Sequence, residues 1–479
     1  MDFYITTPIY YVNDKPHIGH AYTTIVADAL ARWRATQGEH VTFSTGVDEN
    51  SQKTVDAAKK AGQEIGAYTD HMAETWEAAW RTLGISYTDF IRTTEERHLE
   101  VVRDIWGRLE AAGDLYKGMY EGLYCKGHEV FIKESDLVDG LCPEHKTAPE
   151  VVREENYFFK LSEYQEKLLE FYNAHEDFVV PANRFKEVRA FVEQGLEDVS
   201  FSRERKEGRA EWGIPVPNDP HQAIYVWADA LVNYITVAGL EGWENHPADV
   251  HTVGKDILRF HAVIWPAMLM SAGLPLPGQV AANGFLTVDG IKMSKSLGNG
   301  VDPLDLAARY GVDALRYFLL REVQYGEDGD YSELKMKERY NADLANGLGN
   351  FAARVLTLAE KEGKLPMGLQ TKESTQAFHA MGRTVREKMS AYKFSEALAA
   401  IWDAIAFGDR YVNDKKVWEI KDEAERREIL ADLVALLEAI AAEVAPFMPE
   451  TAGKIKAAIV ADGDSIVAKK PDILFPRIH

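Results

Sequence analysis

The sequence predicts an α/β protein built on a doubly wound parallel sheet, interrupted by an insertion and followed by an all-helical C-terminal region. Three observations predict it. Strand and helix patterns alternate at the N-terminus, the alternation breaks near residue 120 and resumes after about 210, and from about 340 apolar residues fall almost wholly at helical spacing. A length of 479 residues suits about three domains. With 46% hydrophobic and 27% charged residues, the composition is globular and excludes collagen-like, low-complexity and wholly disordered classes.

Phe3 to Tyr11 is rich in β-branched and aromatic residues and reads as a strand that ends at the polar turn Asn13-Asp14-Lys15-Pro16. Ile25, Val26, Ala29, Leu30 and Trp33 then recur at helical spacing. A second strand, Val41 to Gly46, leads through Asp48-Glu49 into a helix near 52–62. Between 120 and 160 short β-like pieces, clustered Cys and His and turn residues mark an insertion. Strand-like Ala223 to Trp227, a turn near Asp256 and a helix through Trp265 restore the rhythm, and Gly284 to Val288 reads as another β-like run. Leu430, Leu433, Leu436, Leu437 and Ile440 predict a late helix that Pro446 and Pro449 stop, opening a loop. The resulting division is 1–115 for the first half of the sheet domain, 116–209 for the insertion, 210–290 for the second half, 291–340 for a loop and junction, and 341–479 for the helical domain.

Lys and Arg number 54 against 76 Asp and Glu, a net charge of −22, so non-specific adhesion to nucleic acid or anionic membrane is disfavoured and any nucleic acid must meet local basic patches. Two cysteines exclude a disulfide framework and fit a reducing compartment. The N-terminus lacks a basic n-region and a long apolar run, and the most apolar stretches are broken by residues such as Asp432, Glu438 and Glu443. A cytoplasmic protein without a membrane partner is expected.

Two segments carry chemistry. Pro16-His17-Ile18-Gly19-His20 sits where a strand gives way to a helix, at the edge where parallel sheets bind ligands. Gly19 lets a flat base approach the backbone, and the imidazoles can donate to phosphate oxygens near a helix N-terminus; alternatively, the histidines only cap the helix. Lys292-Met293-Ser294-Lys295-Ser296 is a loop with two ammonium groups, able to stabilise charge on a departing pyrophosphate or simply to lie solvated.

Together these segments resemble the paired signatures of class I aminoacyl-tRNA synthetases, and the flanking sequence is similar to the methionyl family over nearly the whole chain. The likeness rests on Thr7-Pro8-Ile9-Tyr10-Tyr11-Val12-Asn13, Thr45-Gly46-Val47-Asp48-Glu49, Tyr225-Val226-Trp227-Ala228-Asp229-Ala230, Gly254-Lys255-Asp256-Ile257, Phe260-His261, Trp265-Pro266-Ala267 and Ala445-Pro446-Phe447-Met448-Pro449-Glu450-Thr451-Ala452. It implies a Rossmann-type catalytic domain with a connective insertion and a C-terminal helical-bundle domain that binds the anticodon. The implied activity is ATP-dependent activation of L-methionine to the adenylate, with Mg2+ accompanying ATP, and transfer to the 3′ end of tRNA(Met).

The resemblance also implies roles. His17, His20, Lys292 and Lys295 are catalytic; Pro8, Tyr11, Asn13, Gly19, Met293, Ser294 and Ser296 join them around ATP. Ile9, Trp227, Ala230, Tyr234, Ile257 and His261 surround the methionine side chain, with Tyr234 and His261 near the thioether and Asp48 on the ammonium. Asn350, Arg354 and Trp418 read anticodon bases, and Arg203 lies near substrate or the acceptor end. The chain departs from the family at Asn50-Ser51, where His-Gly is usual, and at Val417, where Pro is usual. Cys125, His128, Cys142 and His145 form two C-x-x-H knuckles that suit one structural Zn2+, the alternative being two ordinary thiols and two surface histidines, or a weak disulfide. The insertion of about 90 residues is too short for the editing domain of the valyl, isoleucyl and leucyl relatives. A monomer is expected, because the chain ends soon after the helical domain.

Overall fold

The computed structural model describes residues 2–125, 130–132, 134–143, 146–206, 212–293, 299–368, 371–470 and 472–478. Its centre is a six-stranded parallel sheet formed by β1 (Asp2–Tyr11), β2 (His40–Asp48), β3 (Asp89–Arg92), β4 (Val179–Val180), β5 (Val250–Gly254) and β6 (Gln279–Asn283), in the spatial order β3-β2-β1-β5-β6-β4. β1 is central and reads as a nearly continuous buried run, as a parallel strand covered on both faces must. The chain leaves β1 towards β2 on one side and returns through β5 on the other, so the crevice at the carboxyl ends of β1 and β5 is the topological switch point.

Pro8 sits inside this central strand without an N–H to donate. The ladder absorbs it with a bulge, since the register with β2 advances three residues on β1, from Thr6 to Ile9, against two on β2, from Ser44 to Gly46. Thr7 in the bulge is fully buried and donates its hydroxyl to Thr45 Oγ1 at 2.7 Å.

α1 (Ile18–Thr36) follows β1. Asp28 on α1 is fully buried and accepts from Arg32 Nε at 2.7 Å, Ser86 N at 2.7 Å, Ser86 Oγ at 2.6 Å and Arg316 Nη2 at 2.5 Å. Burial opposes ionisation, but the two guanidinium groups and the serine hold the carboxyl below its usual range. Arg316, equally buried on α2 (Val312–Glu322), also donates to the carbonyls of Pro446 and Phe447 at 3.1 and 2.8 Å. One apolar core therefore runs from the Trp33, Phe43 and Trp76 face of the sheet into the C-terminal helices. A second core, including Trp106, Phe159, Trp243 and Trp265, covers the other face.

Three features differ from the sequence reading. Ala223 to Trp227 does not rejoin the parallel sheet. The strand Asp219–Ile224 pairs antiparallel with Ser202–Glu204, and Tyr225 caps a short helix, α3 (Val226–Ala230), so the sheet resumes only at Val250. β4 lies within the segment read as an insertion, yet it forms the edge of the central sheet beside β6; the same segment also builds an antiparallel sheet around Leu115–Cys125 and Glu150–Phe159 and the helices Gln165–Ala174 and Ala182–Glu193. Pro449 does not open a loop but stands at the first position of the helix Pro449–Ala457, where its missing N–H is harmless. The late helix is Glu423–Val444, and among the described residues no helix is long and apolar enough to cross a membrane.

Arg316→Leu leaves buried Asp28 with only Arg32 and Ser86 as partners and frees the carbonyls of Pro446 and Phe447, and it is expected to destabilise the chain by about 3 kcal/mol. A lowered thermal unfolding midpoint is the measurement.

Candidate active site

The first turn of α1 is built from the two histidines. His17 is the N-cap, its Nδ1 accepting from Gly19 N at 3.1 Å, while His17 N donates to His20 Nδ1 at 3.2 Å, a reciprocal capping box made of imidazoles. The rings stack with centroids 3.6 Å apart, and His20 leans on Tyr10 and Trp76. Because both Nδ1 atoms accept, the proton of each neutral ring is on Nε2, which makes Nε2 the donor each ring offers an anion. Capping and ligand binding are thus not alternatives; the cap fixes the tautomer.

Gly19 is a true close approach. A Cβ there would lie 2.9 Å from His17 Cε1 and 3.7 Å from Met293 Cε. Met293 therefore rests against α1, and Ile18 N donates to Val301 O at 3.0 Å, so residues on both sides of 294–298 meet the same helical turn. Lys292 pairs with Thr287 across a hairpin, Leu286–Val288 with Ile291–Lys292, whose two-residue turn Asp289-Gly290 has φ of 50° and 74°. Both central residues need positive φ, which is why Asp-Gly is favoured there; this dipeptide is the signal that marks the hairpin in the sequence. Ser294, Lys295 and Ser296 lie outside the described residues, as does the side chain of Lys292. Pro8 is buried, and Ile9, Tyr11 and Asn13 are half-buried at the end of β1.

A second cluster lies at the ends of β2 and β5 and along the helices after them. Tyr234 is buried on the helix Asn233–Ala238 and His261 on a π-helical turn, Phe260–Ile264, that departs from the regular helix expected there. π-Turns re-aim side chains and occur often at functional sites. His261 Nδ1 donates to Ile257 O at 3.0 Å, so its Nε2 must accept, and Tyr234 Oη donates to it at 2.7 Å. Burial lowers the His261 pKa to about 4 and raises that of Tyr234, which keeps the pair neutral. Half-buried Trp227 on α3 stacks on Phe260 at 3.9 Å, nearly parallel, and stands edge-on to His261. Ala230 is buried one turn along α3 and Ile257 half-buried.

Asp48, 3% exposed, ends β2 beside Tyr11 and accepts from Asn50 N at 3.2 Å. Asn50 sends its Nδ2 to Asp229 Oδ2 at 2.8 Å, and Asp229 Oδ1 meets His98 Nε2 at 2.7 Å. The sequence reading gave Asn50, Asp229, His98 and Phe260 no role; an acid set between Trp227 and Ala230 in an apolar run was the available signal.

The remaining candidates lie elsewhere. Arg203 is 8% exposed, donates to the carbonyls of Ser200 and Ser202 and lies 4.4 Å from the Tyr225 ring, at the junction of the insertion and α3. In the helical domain, Arg354 on the helix Asn350–Glu362 donates to Asn413 Oδ1 at 2.6 Å and has its Cζ 5.3 Å from the Trp418 ring, and exposed Asn350 lies one turn away. Lys416 turns left-handed (φ 46°), Val417 is buried, and Trp418 is 54% exposed. Cys125 and Cys142 are buried; His128 and His145 lie outside the described residues, and among those described no group of three or more His, Cys, Asp and Glu could hold a metal ion.

A doubly wound sheet carrying a His-capped helix and a Lys-containing hairpin at its switch point, joined to a helical bundle, defines the class I aminoacyl-tRNA synthetases. The profile described as "tRNA synthetases class I (M)" matches residues 3–150 and 144–356. A methionine-tRNA ligase of Caldanaerobacter subterraneus subsp. tengcongensis is 44% identical over 99% of this chain and 79% of its own length, and that of Rhizobium meliloti is 46% identical over 95% and 90%. The structure of Mycobacterium tuberculosis methionyl-tRNA synthetase in complex with methionyl-adenylate superposes with a TM-score of 0.94 at 40% identity, covering 100% of both chains; the apo form of that enzyme gives 0.84 at 37%. The chain belongs to the methionyl-tRNA synthetase family.

With its folded pKa near 4 against an unfolded value of 6.5, His261 contributes stability that is complete above pH 6.5 and lost as pH falls towards 4, a total of about 3 kcal/mol. The thermal midpoint of a His261→Phe variant is expected to fall less steeply than the parent's across that window.

Proposed function

We infer that the chain activates L-methionine with ATP, releasing pyrophosphate, and passes the methionyl group from the adenylate to the 3′ end of tRNA(Met). The observation that carries this reading is the meeting of Gly19 and Met293 at the His-capped turn, beside a neutral Tyr234–His261 pocket. In the proposed geometry the nucleotide lies at the end of β1, near Pro8, Tyr11, Asn13 and Gly19. His17 and His20 donate from Nε2 to phosphate oxygens, and Lys292, Lys295, Ser294 and Ser296 face the phosphates that leave.

Asp48 receives the substrate ammonium, and the side chain extends past Ile9, Trp227, Ala230 and Ile257 to Tyr234 and His261. The methionine carboxylate attacks the α-phosphate, the bond to the β-phosphate breaks, and pyrophosphate departs. A 3′-terminal ribose hydroxyl of tRNA then attacks the activated carbonyl and AMP leaves. No enzyme nucleophile is needed, because positioning and charge stabilisation carry both steps. Mg2+ accompanies ATP as part of the nucleotide substrate.

Asn350, Arg354 and Trp418 supply an amide, a guanidinium and an exposed indole, which suit splayed single-stranded bases. For Arg203 the polar contacts and ring stacking support a supporting role beside α3 rather than an open contact to the acceptor end. Two buried cysteines in the insertion fit a Cys2His2 zinc set with His128 and His145, whose part would be structural, since four protein ligands leave no position for substrate. A monomeric cytoplasmic enzyme accords with this reading.

ATP–pyrophosphate exchange with each of the twenty amino acids tests it. Exchange is expected with methionine alone, and Gly19→Ala and Lys295→Ala are each expected to lower it about a hundredfold, the scale of misplacing a reacting group by about 1 Å. Exchange with another amino acid, or with none, refutes the reading. Trp418→Ala is expected to leave exchange unchanged and to raise the KM for tRNA about tenfold, the loss of one base–aromatic stack of about 1–3 kcal/mol; steady-state aminoacylation measures it.

A further inference from the structure

The end of β2 is crowded with acid. Asp48 and Glu49 follow one another, and α3 brings Asp229 to the same place, all three at most 3% exposed. Asn50 ties two of them together, with its backbone N–H on Asp48 and its side-chain amide on Asp229; the same amide donates to Thr93 O at 3.2 Å. Buried carboxylates this close together repel unless each is compensated. Glu49 is compensated by Arg92, whose Nε donates at 2.9 Å. Asp229 has His98, a fully buried imidazole from the helix Glu96–Ala111.

His98 reaches a different element with each ring nitrogen. Nδ1 lies 2.9 Å from the Thr236 hydroxyl, and Nε2 lies 2.7 Å from Asp229 Oδ1, where the proton between ring and carboxylate compensates the buried acid. His98 thus bridges α3, which carries Trp227 and Ala230, and the helix Asn233–Ala238, which carries Tyr234, and reaches Asp48 through Asn50.

We propose that His98 is a positioning residue for methionine binding: it compensates the buried Asp229 carboxyl by hydrogen bonding and so holds Asn50 and Asp48 in place for the substrate ammonium. The proposal rests on the assignment of Asp48 to that ammonium. Without the imidazole, the buried Asp229 carboxylate turns towards water and takes with it the Asn50 amide that braces Asp48.

Steady-state exchange kinetics on the full chain test this with His98→Asn, His98→Asn/Asp229→Asn and Asp48→Asn. His98→Asn is expected to raise the KM for methionine about tenfold or more while that for ATP stays within about twofold, because only the ammonium end is disturbed. Adding Asp229→Asn removes the uncompensated charge and is expected to restore the methionine KM to within about threefold of the parent, which a packing role would not do. A His98→Asn enzyme with a methionine KM within about twofold of the parent, a parallel rise for ATP, or a double variant no better than the single overturns the proposal. Should His98→Asn fail to fold, the double variant decides, since it is expected to fold and bind methionine, and its failure to do so overturns the proposal as well. Asp48→Asn separates the two readings: an unchanged methionine KM there refutes the assignment of Asp48, whatever His98 does.

Discussion

The arrangement of the crevice depends on α1, and α1 is held by buried charge. Asp28 is a carboxylate with no exposure and four donated hydrogen bonds, and an ion this deep is tolerable only when such partners replace its water. One partner, Arg316, also donates from Nη2 to the carbonyl of Pro446 and from Nε to that of Phe447. Three stretches far apart in the chain are thereby locked together: the helix after the central strand, α2, and the turn between the last two helices. A rotation of the helical bundle against the sheet would strip Arg316 from Asp28 or from those carbonyls, so the bundle and the crevice keep one relative orientation.

That rigidity matters because described residues on either side of 294–298 meet the His-capped amino end of the same helix. Ile18 meets Val301, Gly19 accommodates Met293, and the two histidines cap the turn between them. The bulge at Pro8 belongs to the same logic. It lets a residue without an N–H stand at the end of the central strand, and Pro8 and Ile9 reach the crevice without breaking the ladder on either side.

What the sequence disclosed was local. β1, β2, the periodicity of α1 and the His-x-Gly-His turn depend on neighbours within a few residues, and each is legible from spacing and side-chain chemistry. The Asp28–Arg316 pair joins residues 288 positions apart, and nothing in either local sequence names the partner. β4 is only two residues long and its place at the sheet edge is a tertiary fact, so no pattern could separate it from the insertion around it. The strand read over Ala223 to Trp227 lies instead at Asp219–Ile224, with Tyr225 capping a helix, because its antiparallel partner Ser202–Glu204 is set by tertiary pairing and not by local pattern. The β-like run ending at Val288 is a strand, and the Asp289-Gly290 dipeptide carries the further signal that it turns back on itself as a hairpin. In the pocket, the family likeness selected Tyr234 and His261, whereas His98 and Asp229 emerge only once three helices and a strand are assembled around them.

The assembled pocket suggests how an unbranched, weakly polar side chain is selected. At the distal end the Tyr234–His261 pair shares a single hydroxyl proton, and burial keeps both groups uncharged. A thioether sulfur is a weak acceptor, so it can only compete with His261 Nε2 for that proton, and the exchange of one hydrogen bond for another yields little net affinity. Rejection of other side chains must therefore come from what the end lacks. The Tyr234–His261 pair carries no charge to meet an acid or a base, and its hydroxyl proton and Nδ1 proton are both already donated, while the stacked Trp227 and Phe260 leave a flat apolar wall for a flexible chain. In the proposed reading, charge is concentrated instead at the other end, on buried Asp48, where every amino acid would present the same ammonium. Separating the charged, universal contact from the neutral, discriminating one lets the pocket bind the common part of the substrate strongly while reading the variable part chiefly by exclusion.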